Sequence, residues 1–213
     1  MLKTLGGMVK QNWGFALFVL LMFASRSSIA DWYHVPSGSM LPTIEIGDRI
    51  FVDKMAYRLE LPFTDIEIAK TGHPQRGDIV VIQATAERDR LIKRIIGLPG
   101  DQIAMRNNQL VINGTVIQYK ADESTIFQED LFGITHKVQF VNIPNPKSSF
   151  TNILIPEGQY FVMGDNRNNS QDSRYFGFVS EQELQGKASH VVLSFDRDNY
   201  YLPKMNRKFK KLI

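Results

Sequence analysis

The chain contains no cysteine. That removes disulfides, thiolate nucleophiles and Cys-ligated zinc together. Histidine is sparse, and His34, His73, His136 and His190 stand in no HxxxH or similar ligand spacing, so the zinc-hydrolase pattern is missing. No GxSxG elbow is present, which removes the signature of an α/β-hydrolase. Charge of one sign is also lacking: a net +3 over 213 residues, not gathered into a long stripe, points away from nucleic acid as a partner. Nothing in the sequence calls for a metal or a cofactor. No internal repeat and no long amphipathic helix pattern is visible.

What is present begins with an apolar run, WGFALFVLLMFA from Trp13 to Ala24, with Lys3 and Lys10 before it and Arg26 and Asp31 after it. The stretch between Lys10 and Asp31 is about 20 residues, or roughly 30 Å as a helix, which is a bilayer's width if Arg26 snorkels. Two readings stand. A retained anchor fits Trp32 and Tyr33 at an interface belt. A cleaved signal peptide fits the small-x-small run Ser28-Ile29-Ala30. The lysines put the N-terminus in the cytoplasm and the rest of the chain outside.

Beyond Pro36 the pattern is β. Apolar runs at 49–53, 78–82, 91–96, 159–163 and 188–195 read as strands bounded by turn residues. Leu110 to Ile117, broken by Asn113-Gly114, reads as a hairpin on a type I′ turn. Residues 118–150 are more polar and irregular, with Pro144-Asn145-Pro146 marking a loop. Ser180 to Gln185 carries a short helical signal, with Ser180 as N-cap and Glu183 completing a capping box. The fold expected is mainly β: an antiparallel-sheet catalytic core at 31–104 and 151–200, an inserted smaller β lobe at 105–150, and one N-terminal transmembrane helix within 1–30. The basic segment 201–213, with Lys204, Arg207, Lys208, Lys210 and Lys211, is either a solvated tail or one drawn to anionic phospholipid headgroups.

Three segments carry chemistry. Pro36-Ser37-Gly38-Ser39-Met40 sets serines in a Gly-punctuated turn just past the apolar run; Ser39 is either a turn serine or a nucleophile. Without a histidine in triad context, a lysine is the alternative base, provided burial lowers its pKa from about 10.4. Strand alternation puts Leu91, Lys93 and Ile95 on one face, which favours a neutral Lys93 amine, and Arg94 on the other. The bland alternative is an edge-strand lysine with its head in water. Gly164 to Arg174, GDNRNNSQDSR, follows a strand as a loop delivering polar groups to a site does.

Read in order, SGSM after an apolar segment, RGDIVV, KR in a strand ending GLPGD, and GDNRNNSQDSR resemble bacterial type I signal peptidase from about Ala30 to Val192. The resemblance implies a serine/lysine endopeptidase in which Ser39 attacks the scissile carbonyl and Lys93 is the general base. It implies that the Ser39 N–H and the Ser37 hydroxyl form the oxyanion hole. It further implies that Ser170 orients the lysine amine and that Asp165, Asp172 and Arg174 support their loop. The implied partners are preproteins still tethered by a signal peptide, bound as an added strand, together with membrane phospholipids. The implied place is the outer face of the plasma membrane. Compared with larger family members, the chain has a single candidate membrane segment and a modest lobe between Asp101 and Phe150.

Overall fold

A computed structural model describes residues 12–64, 66–83, 90–196 and 199–213. Lys3 and Lys10, which set the expected orientation, lie outside the described residues. The apolar run forms helix α1, Trp13–Ser28, only 16 residues long. At 1.5 Å per residue it spans about 24 Å, short of the roughly 30 Å of a hydrocarbon core. Among the described residues no helix is long and apolar enough to cross a membrane. The transmembrane helix expected within residues 1–30 is therefore not found among the described residues. Ser25, Arg26, Ser27 and Ser28 occupy the last turn of α1, and the chain turns into a strand at Ala30 rather than continuing helical to Asp31.

The strands follow in chain order: β1 Ala30–His34, β2 Asp48–Asp53, β3 Arg58–Glu60, β4 Glu67–Lys70, β5 Ile79–Gln83, β6 Arg90–Gly97, β7 Gln102–Arg106, β8 Gln109–Ile112 and β9 Thr115–Val116. Then come β10 Gln118–Ala121, β11 Ile126–Leu131, β12 Ile134–Gln139, β13 Phe150–Leu154, β14 Gln159–Met163, β15 Val179–Ser180, β16 Leu184–Asp196, β17 Leu202–Pro203 and β18 Lys210–Lys211. The main sheet runs β1-β2-β16-β5-β6-β14-β15, with β17 and β18 also paired to β16. Strand β16 is the spine, pairing β2 and β5 through several register shifts. Such irregularities bend a strand and let one sheet wrap a core. At Gly186 an added Cβ would lie 2.6 Å from the Asp53 carbonyl oxygen, so only glycine permits that close approach.

Burial explains why β5 reads as an unbroken apolar run rather than an alternating one: both faces of the sheet are covered. Ile79 and Val81 pack with Met40, Ile44, Ile50 and Val52 on one side. Val80 and Ile82 pack with Ile95, Val162 and Leu184 on the other. The expected hairpin forms, with Asn113 and Gly114 at φ 51° and 77°, the two left-handed positions of a type I′ turn. The signal at Ser180 gives a single 3₁₀ turn, Glu181–Glu183, with the Glu183 carboxylate accepting from the Ser180 backbone N–H at 2.8 Å.

Between β6 and β14 the chain builds two small sheets, β13-β7-β8-β9 and β10-β11-β12. They share a core with the main sheet, because Ile96, Phe161 and Met163 pack among Ile103, Met105, Leu110, Ile112 and Leu131. The segment after β17 is not a free tail. Arg207 is buried and bonds both oxygens of Asp48, and Leu212 enters the core beside Met40 and Ile50. Residues Ser28 to Ala30 are likewise held in place. Ala30 pairs with Asp53, and the Ile29 carbonyl accepts from the Lys54 N–H at 3.0 Å, so the bond after Ala30 sits inside a strand.

One wholly buried ion pair joins the small β10-β11-β12 sheet to the loop after β14. The two terminal guanidinium nitrogens of Arg167 bond the Glu129 carboxylate, and Nη1 also donates to the Tyr119 hydroxyl at 3.1 Å. Burial alone would raise the Glu129 pKa, but Arg167 and His136 hold it well below the usual carboxylate range. Removing one partner strands a buried charge, which costs about 3–5 kcal/mol. Glu129→Ala is expected to lose that much in a urea titration, and Glu129→Leu combined with Arg167→Met to recover most of it; equal losses in both variants contradict the account.

Candidate active site

The Ser37–Gly38–Ser39 turn sits between β1 and β2. Met40 next to it is buried in the core below β5, which anchors the turn from beneath. Lys93 lies in the middle of β6, where β5 places Val80 directly opposite it. Its face is thus shared with Val80, Leu91 and Ile95, all part of one apolar cluster. The side chain is 2% exposed. Its Nζ donates to Ser39 Oγ at 3.0 Å and to the Ile92 carbonyl at 3.0 Å.

Burial pushes the Lys93 amine down to about 8, against the opposing pull of Asp172 and Asp165. Desolvation disfavours the ammonium, so a fraction of the amine is neutral near pH 7. A neutral lysine within hydrogen-bond distance of a serine hydroxyl is a base beside its nucleophile.

Those two carboxylates would recharge the lysine were they not already engaged. Asp165 is fully buried and takes a two-pronged contact from Arg94, Nε to Oδ1 at 2.8 Å and Nη2 to Oδ2 at 2.7 Å. Thr43 Oγ1 adds a third bond at 2.5 Å. Although burial acts to raise the Asp165 pKa, the Arg94 guanidinium holds it below the ordinary aspartate value. Asp172 is clasped the same way by Arg174, at 2.7 Å to each oxygen, and also accepts from the Gly164 N–H at 3.0 Å. Each acid thereby carries a matched cation, the arrangement in which buried charge is tolerated.

The loop after β14 also grips the serine turn. The Asn166 N–H donates to the Ser39 carbonyl at 3.0 Å, and Asn166 Nδ2 donates to the Gly38 carbonyl at 3.0 Å. A trans peptide plane points its N–H opposite to its C=O. Fixing the Gly38 carbonyl therefore fixes the direction of the Ser39 N–H, away from Asn166. Gly164 closes the gap: a Cβ there would lie 2.4 Å from the Ser39 carbonyl oxygen and 2.3 Å from Ser170 Oγ.

Ser170 is buried against Gly164, and among the described residues its hydroxyl has no hydrogen-bond partner; it makes no bond to Lys93. Ser37 stands instead on the rim of a cavity of about 900 Å³, whose walls include Tyr33, Val81, Arg90 and Ile92. The structure thus brings Ser39 and Lys93 together, sets Asp165, Asp172 and Arg174 behind them, and leaves Ser37 and Ser170 to either side.

Three contributors were not singled out in the sequence. Arg94, set aside because it points away from Lys93, neutralises Asp165 from that opposite side. Asn166 and Gly164 act through backbone contacts, and their signal was only the density of polar and turn residues in GDNRNNSQDSR. Among the described residues no group of His, Cys, Asp and Glu is arranged to hold a metal ion.

Known proteins resemble this chain over most of its length. Residues 10–193 match the family described as signal peptidase, peptidase S26. The chain is 35% identical to signal peptidase I of Pseudomonas aeruginosa over 212 residues, covering 90% of this chain and 74% of the relative. It is 33% identical to signal peptidase IB of Staphylococcus aureus over 199 residues, covering 91% of this chain and 93% of the relative. A crystal structure of a signal peptidase I from Enterococcus faecalis aligns with 54% of this chain and 96% of its own, at 31% identity and a TM-score of 0.37. With so partial a structural overlap, the assignment stands on the sequence matches, and by them this chain belongs to the signal peptidase family, peptidase S26.

Proposed function

We propose that this chain is a membrane-bound serine endopeptidase that removes N-terminal signal peptides from exported preproteins, with Ser39 as nucleophile and Lys93 as general base. The observation that carries the reading is the 3.0 Å contact between Ser39 Oγ and a lysine amine whose pKa burial has brought down to about 8. The neutral amine takes the hydroxyl proton as Ser39 Oγ bonds to the scissile carbonyl carbon. The resulting oxyanion is met by the Ser39 N–H, whose direction Asn166 sets, and by the Ser37 hydroxyl. Such fixed donors are worth about 2.7–4 kcal/mol each in the transition state. The C–N bond then breaks, and the departing amine takes its proton from the Lys93 ammonium. Water, deprotonated by the same amine, releases the acyl chain. The Lys93 amine is turned toward Ser39 here by the Ile92 carbonyl; Ser170, without a bond to Lys93, would share that task only once its hydroxyl shifts from Gly164 to the amine, and Asp165, Asp172 and Arg174 hold the loop that carries it.

The cavity beside Ser37 receives the substrate as an extended strand, its main chain bonding the rim and small side chains settling against Val81 and Ile92. Membrane attachment rests on α1. Trp13, Phe15, Phe18, Leu21 and Phe23 all stand exposed, on every side of the helix. A helix apolar all round requires an apolar environment, and a bilayer supplies one. We place the catalytic sheet on the outer face, where the tethered preprotein emerges, with phospholipid headgroups against the basic residues Lys208, Lys210 and Lys211.

Ser39→Ala and Lys93→Ala are each expected to lower preprotein cleavage at least about 10³-fold, and the double variant to be no slower than either single. Cleavage by either single variant at the wild-type rate refutes the dyad. Because the base works as the free amine, kcat/KM should rise about tenfold per pH unit up to roughly pH 8 and level off above it. A profile that stays flat from pH 5 to pH 8 is incompatible with Lys93 as base.

The same depressed pKa lowers stability. The unfolded lysine binds its proton more tightly than the folded one, so the burden is complete below about pH 8 and lifts as pH rises toward 10.5. Lys93→Met should therefore raise stability at pH 7 by up to about 3 kcal/mol while abolishing cleavage, with the gain shrinking toward pH 10.5. Unfolding midpoints measured across that pH range test it, and no gain at pH 7 contradicts it.

A further inference from the structure

The cavity beside Ser37 is apolar or uncharged along its walls except at one place. Arg90, the first residue of β6, is its one permanently charged lining residue among those described. The Arg90 guanidinium lies 4.6 Å over the ring of Tyr33, another lining residue, so the two side chains stack against each other in the cavity wall. Stacking restrains an otherwise floppy side chain while leaving its N–H edge open. Among the described residues no carboxylate pairs with Arg90. Asp31, on β1 near Tyr33, is already bonded by Arg26 at 2.9 Å. Among the described lining residues Arg90 is therefore the one fixed cation, held in place with donors to spare.

We propose that Arg90 is a specificity-determining residue that selects an acidic side chain in the substrate a few residues before the cut. The proposal rests on the reading of the cavity as the substrate's strand site. Arg90 stands three residues before Lys93 on β6, about 10 Å away along the strand. An extended substrate rising by the same increment reaches Arg90 with its third to fifth residue before the scissile bond. A carboxylate there meets a pre-oriented fork of donors, whereas a lysine meets like charge. Interactions at a solvent-facing rim are modest and salt-sensitive, so discrimination of about fivefold, not thousands, is the scale to expect.

The test is a peptide series differing only in one residue, Glu, Gln or Lys, moved from the second to the sixth position before the cut. Each peptide is cleaved by wild type, Arg90→Gln and Arg90→Glu, and kcat/KM ratios are compared within each enzyme, which cancels any general loss of activity. Wild type should prefer Glu over Lys about fivefold at one of the third to fifth positions, with the preference fading at high salt. In Arg90→Gln the ratio should approach one, and in Arg90→Glu it should invert. A Glu-to-Lys ratio that is the same in all three enzymes at every position overturns the proposal while leaving the peptidase reading intact. If wild type cleaves none of the peptides nor a full preprotein, the peptidase reading fails and the proposal with it.

Discussion

An ammonium group cannot be taken out of water cheaply, and the architecture around Lys93 is organised by that fact. A lysine must be buried to be neutral, yet the loop that orients the serine turn brings two aspartates close enough to Lys93 to favour its protonated form. Arg94 and Arg174 resolve the conflict by pairing each aspartate from its far side. The arginines thus act on Lys93 without touching it. A loop built only of neutral hydrogen-bonding groups would avoid the problem, but it would lose the short charge-assisted bonds that make this one rigid.

Rigidity matters because Ser39 sits on a turn rather than on a strand. Its carbonyls are held by Asn166, its neighbour Met40 is sunk in the core, and Gly164 lets the facing loop approach within contact distance of the Ser39 backbone. The same loop is tied at its far side by the buried Arg167–Glu129 pair, which makes the small sheets between β6 and β14 part of the site's foundation. That gives those sheets a physical role despite their distance from the serine in sequence.

Local patterns carried the parts of this molecule that depend on local physics. The strands, the Asn113-Gly114 hairpin and the shared face of Leu91, Lys93 and Ile95 follow from alternation and turn chemistry, and the four ordered motifs pointed to the family. Contacts between remote segments left no such trace. Nothing in periodicity links Glu129 to Arg167, Asn166 to Gly38, or Arg207 to Asp48. The basic segment around Arg207 reads as a solvated or lipid-facing tail because charge density is visible in sequence and an ion-pair partner is not. Helix α1 was overestimated for a related reason: counting apolar residues between charges measures a length, but not where pairing with β2 ends the helix.

Folding back residues 207–212 ties the two ends of the described chain to one another. Strand β18 pairs with the middle of β16, and Leu212 fills a place in the cluster that holds Met40 beneath the Ser37–Gly38–Ser39 turn. The floor of that turn is thus built from residues more than 170 positions apart, so a cavity opened at Leu212 is felt at Met40 through packing alone.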